Sequence, residues 1–162
     1  MRQVPCATVR SELPEDLSEV IRHLEGAYPQ EGCGVILRGG ASGPWRIRPL
    51  LNAYDRYHAA DPVRFPHTSA TAYLFEPQEW LALNEEADAR GERILCVFHS
   101  HVNGSASFSA EDRAQAAPAG QPLLPDVSYL VVAVDRGRAA GARLFRWSGA
   151  DFLDRPVPLG AY

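Results

Sequence analysis

Two histidines separated by one residue, His99 and His101, are the first residues whose types and spacing point to chemistry. They follow a continuous apolar run from Ile94 to Phe98, which predicts a strand covered on both faces and therefore central in its sheet. In a strand the side chains at i and i+2 point to the same side, so the two imidazoles can converge on one point. On a helix the same spacing would turn them roughly 200° apart. By itself the pattern is also typical of two exposed or hydrogen-bonded histidines.

Seven residues separate His101 from Ser109, and Asp112 follows three positions later. Ser-x-x-Asp is typical of a helix N-terminus, with Ser109 as the N-cap residue and acidic residues favoured by the helix dipole. A capped helix that begins beside the end of the strand would hold the Asp112 carboxylate rigidly next to the two imidazoles. Two nitrogens and one carboxylate oxygen make three protein ligands, and a catalytic zinc site leaves its fourth tetrahedral position to water. Such a metal lowers the pKa of the water to about 7 and polarises a carbonyl.

A zinc hydrolase also requires a base for that water, and the candidate is Glu31 at the mouth of another apolar strand. It lies in the run Glu31-Gly32-Cys33-Gly34, just after the first predicted helix. A glutamate at such a position is ordinarily a solvated loop carboxylate, so the residue type alone does not establish a base.

These residues need a scaffold, and the hydrophobic pattern predicts helices interleaved with strands. The pattern favours helices over residues 17–28, 77–91 and 109–117, and strands over residues 33–38, 45–51, 71–75, 94–98, 129–134, 142–147 and 152–157. Residues 52–70 lack periodicity, and we expect them to form a long irregular segment that contacts substrate. The expected fold is α/β or α+β: a single domain over residues 1–162, with helices flanking a mixed β-sheet.

Composition excludes several classes of protein. Sixteen cations against twenty anions give a net charge of −4, and the cations are scattered, which argues against nucleic-acid binding. No apolar run approaches the roughly 20 residues that would span a bilayer, so a transmembrane protein is excluded. Residues 1–15 show no secretory signal, and a cytoplasmic location is the expectation. The cysteines Cys6, Cys33 and Cys96 form no even set and are predicted to be reduced thiols.

Taken together, His99-x-His101, Ser109-x-x-Asp112 and the upstream Glu31-x-Cys33-Gly34 resemble the JAMM motif of the JAB/MPN metalloproteases. The resemblance covers nearly the whole chain, and the absence of further domains is similar to the small bacterial members. It implies that His99, His101 and Asp112 bind one Zn²⁺. It further implies that Glu31 acts as general base and acid, and that Ser109 stabilises the tetrahedral oxyanion.

Two positions depart from the family's usual pattern. Val102 and Phe108 stand where the family often has proline, and we expect them to alter the rigidity of the loop. Neither position is a ligand or the base. The remaining histidines, His23, His58 and His67, are interpreted as non-ligands.

Other interpretations belong to different classes. Some relatives of this fold are catalytically inactive scaffolds or interaction domains that lack the metal set, whereas all five motif positions are filled here. A zinc nucleobase deaminase would need H-x-E and P-C-x-x-C, and the chain has neither. Relatives in DNA repair share a similar motif, but the absence of a basic stripe argues against that role.

The resemblance implies hydrolysis of a peptide or isopeptide bond after the Gly-Gly tail of a ubiquitin-like or sulfur-carrier protein. The sequence leaves open which substrate protein is cleaved, whether the role is in sulfur metabolism or conjugate removal, and what the oligomeric state is. We expect residues 52–72 to order around the extended tail and to offer it a strand edge by β-augmentation.

Overall fold

The computed structural model describes residues 12–160, which fold around one six-stranded sheet. The helices are α1 (Ser18–Ala27), α2 (Tyr54–Ala60), α3 (Pro77–Ala89) and α4 (Ala110–Ala116), with a short 3₁₀ turn at Pro118–Gly120. The strands are β1 (Cys33–Gly39), β2 (Trp45–Leu50), β3 (Glu92–Val102), β4 (Ser128–Asp135), β5 (Arg138–Trp147) and β6 (Phe152–Pro156). Among these residues, no helix has the length and apolar character needed to cross a membrane.

The sheet has the strand order β2-β1-β3-β4-β5-β6. Its one parallel pair is β3 with β4, and the other neighbours in this sheet run antiparallel. The predicted α+β fold with a mixed sheet is therefore confirmed. The position of β3 between β1 and β4 also agrees with its uninterrupted apolar sequence, because a central strand is covered on both faces.

Alternation along the strands divides the core into two layers. On one face, Ile36 and Phe98 pack with the apolar side of α1. On the other face, Val35 and Val97 pack with Leu83 and other residues of α3. Side chains that follow Val97 at every second position of β3 therefore point to the α3 side of the sheet.

Two predictions about the connection between β2 and α3 (residues 51–76) are wrong. Its supposedly irregular part contains α2, and its predicted strand over residues 71–75 is reduced to a single bridge between Phe75 and Asn52. The backbone of Leu74 instead bonds to the Asn52 side chain and to Ala53 N–H, so it has no sheet neighbour. The connection therefore contains a helix and an extended run whose backbone is hydrogen-bonded within the connection, and it does not provide the free strand edge that we expected.

The connection has its own small aromatic core. The Phe65 ring lies edge-on to Tyr54 and is tilted against Tyr57, with centroids 6.3 and 5.1 Å apart. His58 Nδ1 donates to the Phe65 carbonyl at 2.7 Å. These local contacts explain why no pattern directed at the main core marks α2 in the sequence.

The cysteine prediction holds where it can be checked. Cys33 and Cys96 are buried free thiols on β1 and β3. Cys6 and residues 1–11 of the N-terminal stretch lie outside the described residues.

Candidate metal centre

The two motif histidines lie on β3, which continues as a strand beyond its apolar run to Val102. Because His99 and His101 follow Val97 at alternate positions, they point to the α3 side of the sheet. Their Nε2 atoms lie 3.2 Å apart. The strand therefore brings two imidazoles to one point, as the spacing predicts.

Asp112 reaches the same point from the first turn of α4. The Asp112 N–H donates to Ser109 Oγ at 3.0 Å, and the Ser109 N–H donates back to Asp112 Oδ2 at 2.8 Å, which closes a capping box. The same carboxylate places Oδ1 3.1 Å from His99 Nε2 and Oδ2 3.1 Å from His101 Nε2. Asp112 is thus held by the helix cap while it faces both histidines.

These donor atoms are close enough together to surround a single small ion. Ligands about 2.0–2.1 Å from a zinc ion stand about 3.3 Å from one another at tetrahedral angles. His99 Nε2 lies 3.2 Å from His101 Nε2, and each lies 3.1 Å from a different oxygen of Asp112, His99 from Oδ1 and His101 from Oδ2. With one donor atom taken from each residue, the three atoms lie within 4.8 Å of one another. Within residues 12–160, His99, His101 and Asp112 form the one group of such side chains able to hold a metal ion.

The three donor residues shift one another's pKa values, in competition with the effect of burial. Burial raises the pKa of the Asp112 carboxyl, but hydrogen bonds from His101 and His99 outweigh burial and leave that pKa well below its ordinary value. Burial lowers the pKa of His101, yet the contacts with Asp112 more than compensate, so the net shift is upward. For the fully buried His99, burial prevails and its pKa is lowered. The site therefore contains an ionised carboxylate beside a neutral imidazole, which is a suitable donor for a divalent metal.

The second nitrogen of each imidazole has a different environment. His101 Nδ1 donates to the Ser105 carbonyl at 2.9 Å, which leaves Nε2 of the neutral ring as the lone-pair donor. His99 Nδ1 is buried without a hydrogen-bond partner among the described residues. The His99 ring instead stacks on Tyr73, with centroids 4.4 Å apart and planes inclined by 28°. Sequence reasoning missed Tyr73, because no local pattern shows which distant aromatic ring will cover a strand residue.

Glu31 lies two residues before β1 and is only 5% exposed, which excludes the alternative of a solvated loop carboxylate. Burial raises the pKa of its carboxyl to about 8, the positive charge of His101 opposes this shift, and the negative charge of Asp112 adds to it. No hydrogen bond to the carboxylate contributes to the shift. Glu31 is therefore a buried carboxyl that senses the charges of the donor group.

The approach of β1 to β3 explains the residues around Glu31. Cys33 pairs with His99 in the sheet, and the Gly32 N–H donates to Ser100 Oγ at 2.9 Å. A side chain at Gly34 would place its Cβ 2.4 Å from the Phe98 ring, so only glycine fits there. This close contact sets Glu31 beside the end of β3 that bears the histidines.

The loop between His101 and Ser109 is anchored at both ends. At its start, the Asn103 N–H donates to the Val134 carbonyl at 2.8 Å, and Asn103 Oδ1 accepts from Arg136 N–H at 2.9 Å. At its end, Phe108 is buried in a cluster of aromatic rings. The members of this cluster are Tyr129, Phe145 and Phe152, with centroids 4.9–5.4 Å from that of Phe108. Contacts thus hold this loop on either side of Ser105 without proline at position 102 or 108.

The other three histidines lie outside the donor group. His23 Nε2 lies 3.1 Å from the Cys33 carbonyl oxygen, and His58 serves the connection as described above. Neither these two nor His67 belongs to the donor group.

A largely buried His-His-Asp group beside the end of a central strand gives this α+β domain a site able to hold a metal ion. Residues 14–148 match the family described as prokaryotic homologs of the JAB domain, and the chain belongs to that family. The JAMM-type resemblance of its motif is thereby confirmed.

Individual relatives agree with this membership. The chain is 26% identical over 141 residues to a desampylase of Haloferax volcanii, a match that covers 87% of this chain and 86% of the relative. Among solved structures, a protein of Desulfitobacterium hafniense is 23% identical with a TM-score of 0.58, covering 86% of this chain and 84% of the other. A protein of Salinibacter ruber is 22% identical with a TM-score of 0.55, covering 88% and 86%. These two structural similarities support the fold alone.

Proposed function

We propose that this protein is a JAMM-type zinc isopeptidase that hydrolyses the bond after the Gly-Gly tail of a ubiquitin-like or sulfur-carrier protein. The observation that carries the proposal is the convergence of His99 Nε2, His101 Nε2 and the Asp112 carboxylate within 3.1–3.2 Å of one another. The similarity to a desampylase supports the choice of an isopeptidase within the family. With its full donor set, the chain gives no reason to prefer an inactive scaffold.

Zinc is the metal that this donor set favours, and His99, His101 and Asp112 would hold it. Two neutral imidazoles and one carboxylate are typical of hydrolytic zinc sites that keep one position open. When bound, a zinc ion supplies Lewis-acid polarisation of the scissile carbonyl and lowers the pKa of a water to about 7. The remaining chemistry falls to residues of the chain itself.

Glu31 is proposed as the proton carrier. Its carboxyl is buried, and its pKa of about 8 lies close to neutrality, where one group can accept a proton and later release it. In this role a carboxylate oxygen of Glu31 takes a proton from the attacking water. The same group then gives the proton to the amine nitrogen of the leaving group, as the C–N bond breaks.

Ser109 is proposed as the oxyanion donor. Its Oγ accepts the Asp112 N–H, which uses a lone pair and leaves the hydroxyl hydrogen for another acceptor. Helix capping and donation to a developing oxyanion are therefore compatible in one side chain.

The proposed substrate is a folded ubiquitin-like protein with an extended Gly-Gly end, and the proposed location is the cytoplasm. The side chains of His99, His101 and Asp112 are at most 13% exposed, so a scissile bond is expected to arrive on a narrow segment. A Gly-Gly tail presents no side chain that would obstruct this approach. The connection between β2 and α3 borders Glu31 and is the part of the chain proposed to contact the tail.

The experiment measures zinc content and cleavage in parallel. The substrate is a ubiquitin-like protein that continues beyond Gly-Gly, either through a peptide bond or through a lysine isopeptide bond, with a Gly-Val version as the negative substrate. Glu31→Gln should retain the metal and lose about 10²- to 10⁴-fold in kcat. Ser109→Ala should lose about 10²-fold, with melting checked because loss of the cap costs about 1 kcal/mol. Exposed Glu85→Gln is the matched control, expected at the wild-type rate.

Three results would contradict the proposal. Wild-type turnover by Glu31→Gln would make Glu31 a structural residue. Full zinc occupancy in the His99→Ala, His101→Ala double variant would move the metal elsewhere. Equal cleavage of the Gly-Gly and Gly-Val substrates would exclude recognition of a narrow tail.

A further inference from the structure

Both backbone polar groups of Glu31 are bound by the connection between β2 and α3, and not by a neighbouring strand. The Glu31 N–H donates to the Ser69 carbonyl at 2.7 Å, and the Glu31 carbonyl accepts from Asn52 Nδ2 at 2.9 Å. Among residues 12–160 the Glu31 carboxylate makes no hydrogen bond, so its orientation depends on how the backbone of Glu31 is held.

Asn52 uses its complete hydrogen-bonding capacity in this position. Nδ2 donates to the carbonyls of Glu31 and Ala72, at 2.9 and 3.0 Å. Oδ1 accepts the N–H groups of Tyr54 and Leu74, at 3.1 and 3.2 Å. An amide side chain offers two donors and two acceptor lone pairs, and all four are engaged. One side chain therefore joins Glu31 to the beginning of α2 and to the extended end of the connection.

Ser69 is held in turn by Asp55 of α2. Asp55 Oδ1 accepts the Ser69 N–H at 2.7 Å, and Asp55 Oδ2 accepts the Ser69 hydroxyl at 2.6 Å. The hydrogen bonds from Ser69 lower the pKa of the Asp55 carboxyl, so this carboxylate remains charged at neutral pH. The Ser69 carbonyl, which accepts the Glu31 N–H, is therefore held in place by two hydrogen bonds from Ser69 to the charged Asp55 side chain on α2.

We propose that Asn52 is a positioning residue for Glu31, with the Asp55–Ser69 pair as its second support. This inference rests on the proposed function, in which Glu31 carries the proton. The hydrogen bonds of the Asn52 side chain go to Glu31, Ala72, Tyr54 and Leu74 and not to His99, His101 or Asp112, so its effect is expected on turnover and not on metal binding. A displacement of about 1 Å at a reacting group can cost 10²-fold in rate, which sets the scale expected when the Asn52 bonds are lost.

The test compares two variants of Asn52 with a matched asparagine. Asn52→Ala removes all four bonds, whereas Asn52→Asp keeps the acceptors for Tyr54 and Leu74 and loses both donors, including the one to Glu31. Asn84→Ala is the control, because half-buried Asn84 donates to the Trp80 carbonyl within α3, away from the site. Each protein is loaded with zinc, and its zinc content, kcat, KM and amide hydrogen exchange are measured well below its melting temperature.

Both Asn52 variants should keep one zinc per chain and lose about 10²-fold in kcat, with a smaller change in KM. Asn84→Ala should match the wild type. In a Glu31→Gln background, Asn52→Ala should cause no further loss, because both changes act on one step. A purely structural role would instead lower the rate equally in both backgrounds. A kcat within twofold of wild type in folded, zinc-loaded Asn52→Ala would overturn the proposal.

Amide exchange separates this inference from the proposed function. Asn52→Ala should accelerate exchange of the Glu31 amide, while Asn52→Asp should retain protection at Tyr54 and Leu74. If the wild type cleaves no Gly-Gly substrate, the proposed function fails, and unchanged exchange at Glu31 in Asn52→Ala would separately refute the coupling. If Asn52→Ala does not fold, Asp55→Ala replaces it, with the same loss of kcat expected and a wild-type rate as the contrary result.

Discussion

Replacing Glu31 by glutamine should stabilise the metal-free protein, although the same change should greatly slow catalysis. The pKa of the buried carboxyl rises from its ordinary 4.5 to about 8 on folding. Between these two pH values the folded chain binds more protons than the unfolded chain, so the free energy of unfolding must fall as the pH rises. Glutamine has a similar shape and no charge, so the variant lacks this loss.

The size of the effect follows from the two pKa values. At pH 7 the unfolded carboxyl is ionised, while the folded one, with a pKa of about 8, is mostly protonated. At about 1.4 kcal/mol for each tenfold change in proton concentration, the interval from the unfolded pKa to pH 7 costs roughly 3 kcal/mol. For a domain of this size that corresponds to roughly 6–12 °C in Tm. The difference should vanish below the unfolded pKa and level off above the folded one.

Thermal melting of the chelator-treated proteins at several pH values measures this difference. Glu85→Gln removes an exposed carboxylate from α3 and should follow the wild type at every pH. Saturating zinc should reduce the difference in Tm between Glu31→Gln and the wild type, because a nearby positive charge favours the ionised form of Glu31. A Glu31→Gln variant that melts at or below the wild-type temperature at pH 7.5 would refute the reasoning.

Three further outcomes are expected. Zinc affinity, measured by calorimetry, should weaken as the pH is lowered from 8 to 6, because the raised pKa of His101 lets protons compete with zinc for the lone pair of the imidazole. An affinity that does not change over this range would exclude His101 as a ligand. Gly34→Ala should cost roughly 1–3 kcal/mol or more in unfolding experiments, since its Cβ would lie 2.6 Å from a backbone oxygen, whereas Gly26→Ala, with open space around it, should be tolerated. Burial raises the pKa of the Cys33 and Cys96 thiols, so both should react with Ellman's reagent only on unfolding, and rapid reaction in the native protein would contradict their burial.

The sequence predicts those parts of the fold whose side chains serve the main core. The run from Ile94 to Phe98 is apolar at every position because β3 lies at the centre of the sheet. The central position of this strand could therefore be predicted directly from the sequence. Ser109 and Asp112 were also readable, because a capping box depends on residues three positions apart. Both features are local, so pattern and structure coincide.

The connection between β2 and α3 could not be predicted in the same way. The rings of Tyr54 and Tyr57 pack on Phe65, within the connection itself, so α2 leaves no stripe directed at the sheet. Asn52 and Tyr73 act on residues far from them in sequence, at Glu31 and His99. Such contacts follow from tertiary structure and have no periodic signature.

Asp112 both caps α4 and faces the two histidines, and this affects which residues would change first in a related protein that lost its activity. A lineage that no longer needed the metal would still gain from an aspartate that completes the α4 cap, so selection for folding alone would preserve it. Glu31 is in the opposite position, because its burial weakens the folded state and drift towards glutamine is favoured once turnover is dispensable. In paralogues of this type, the residue at position 31 should therefore distinguish working enzymes from pseudoenzymes better than the residue at position 112.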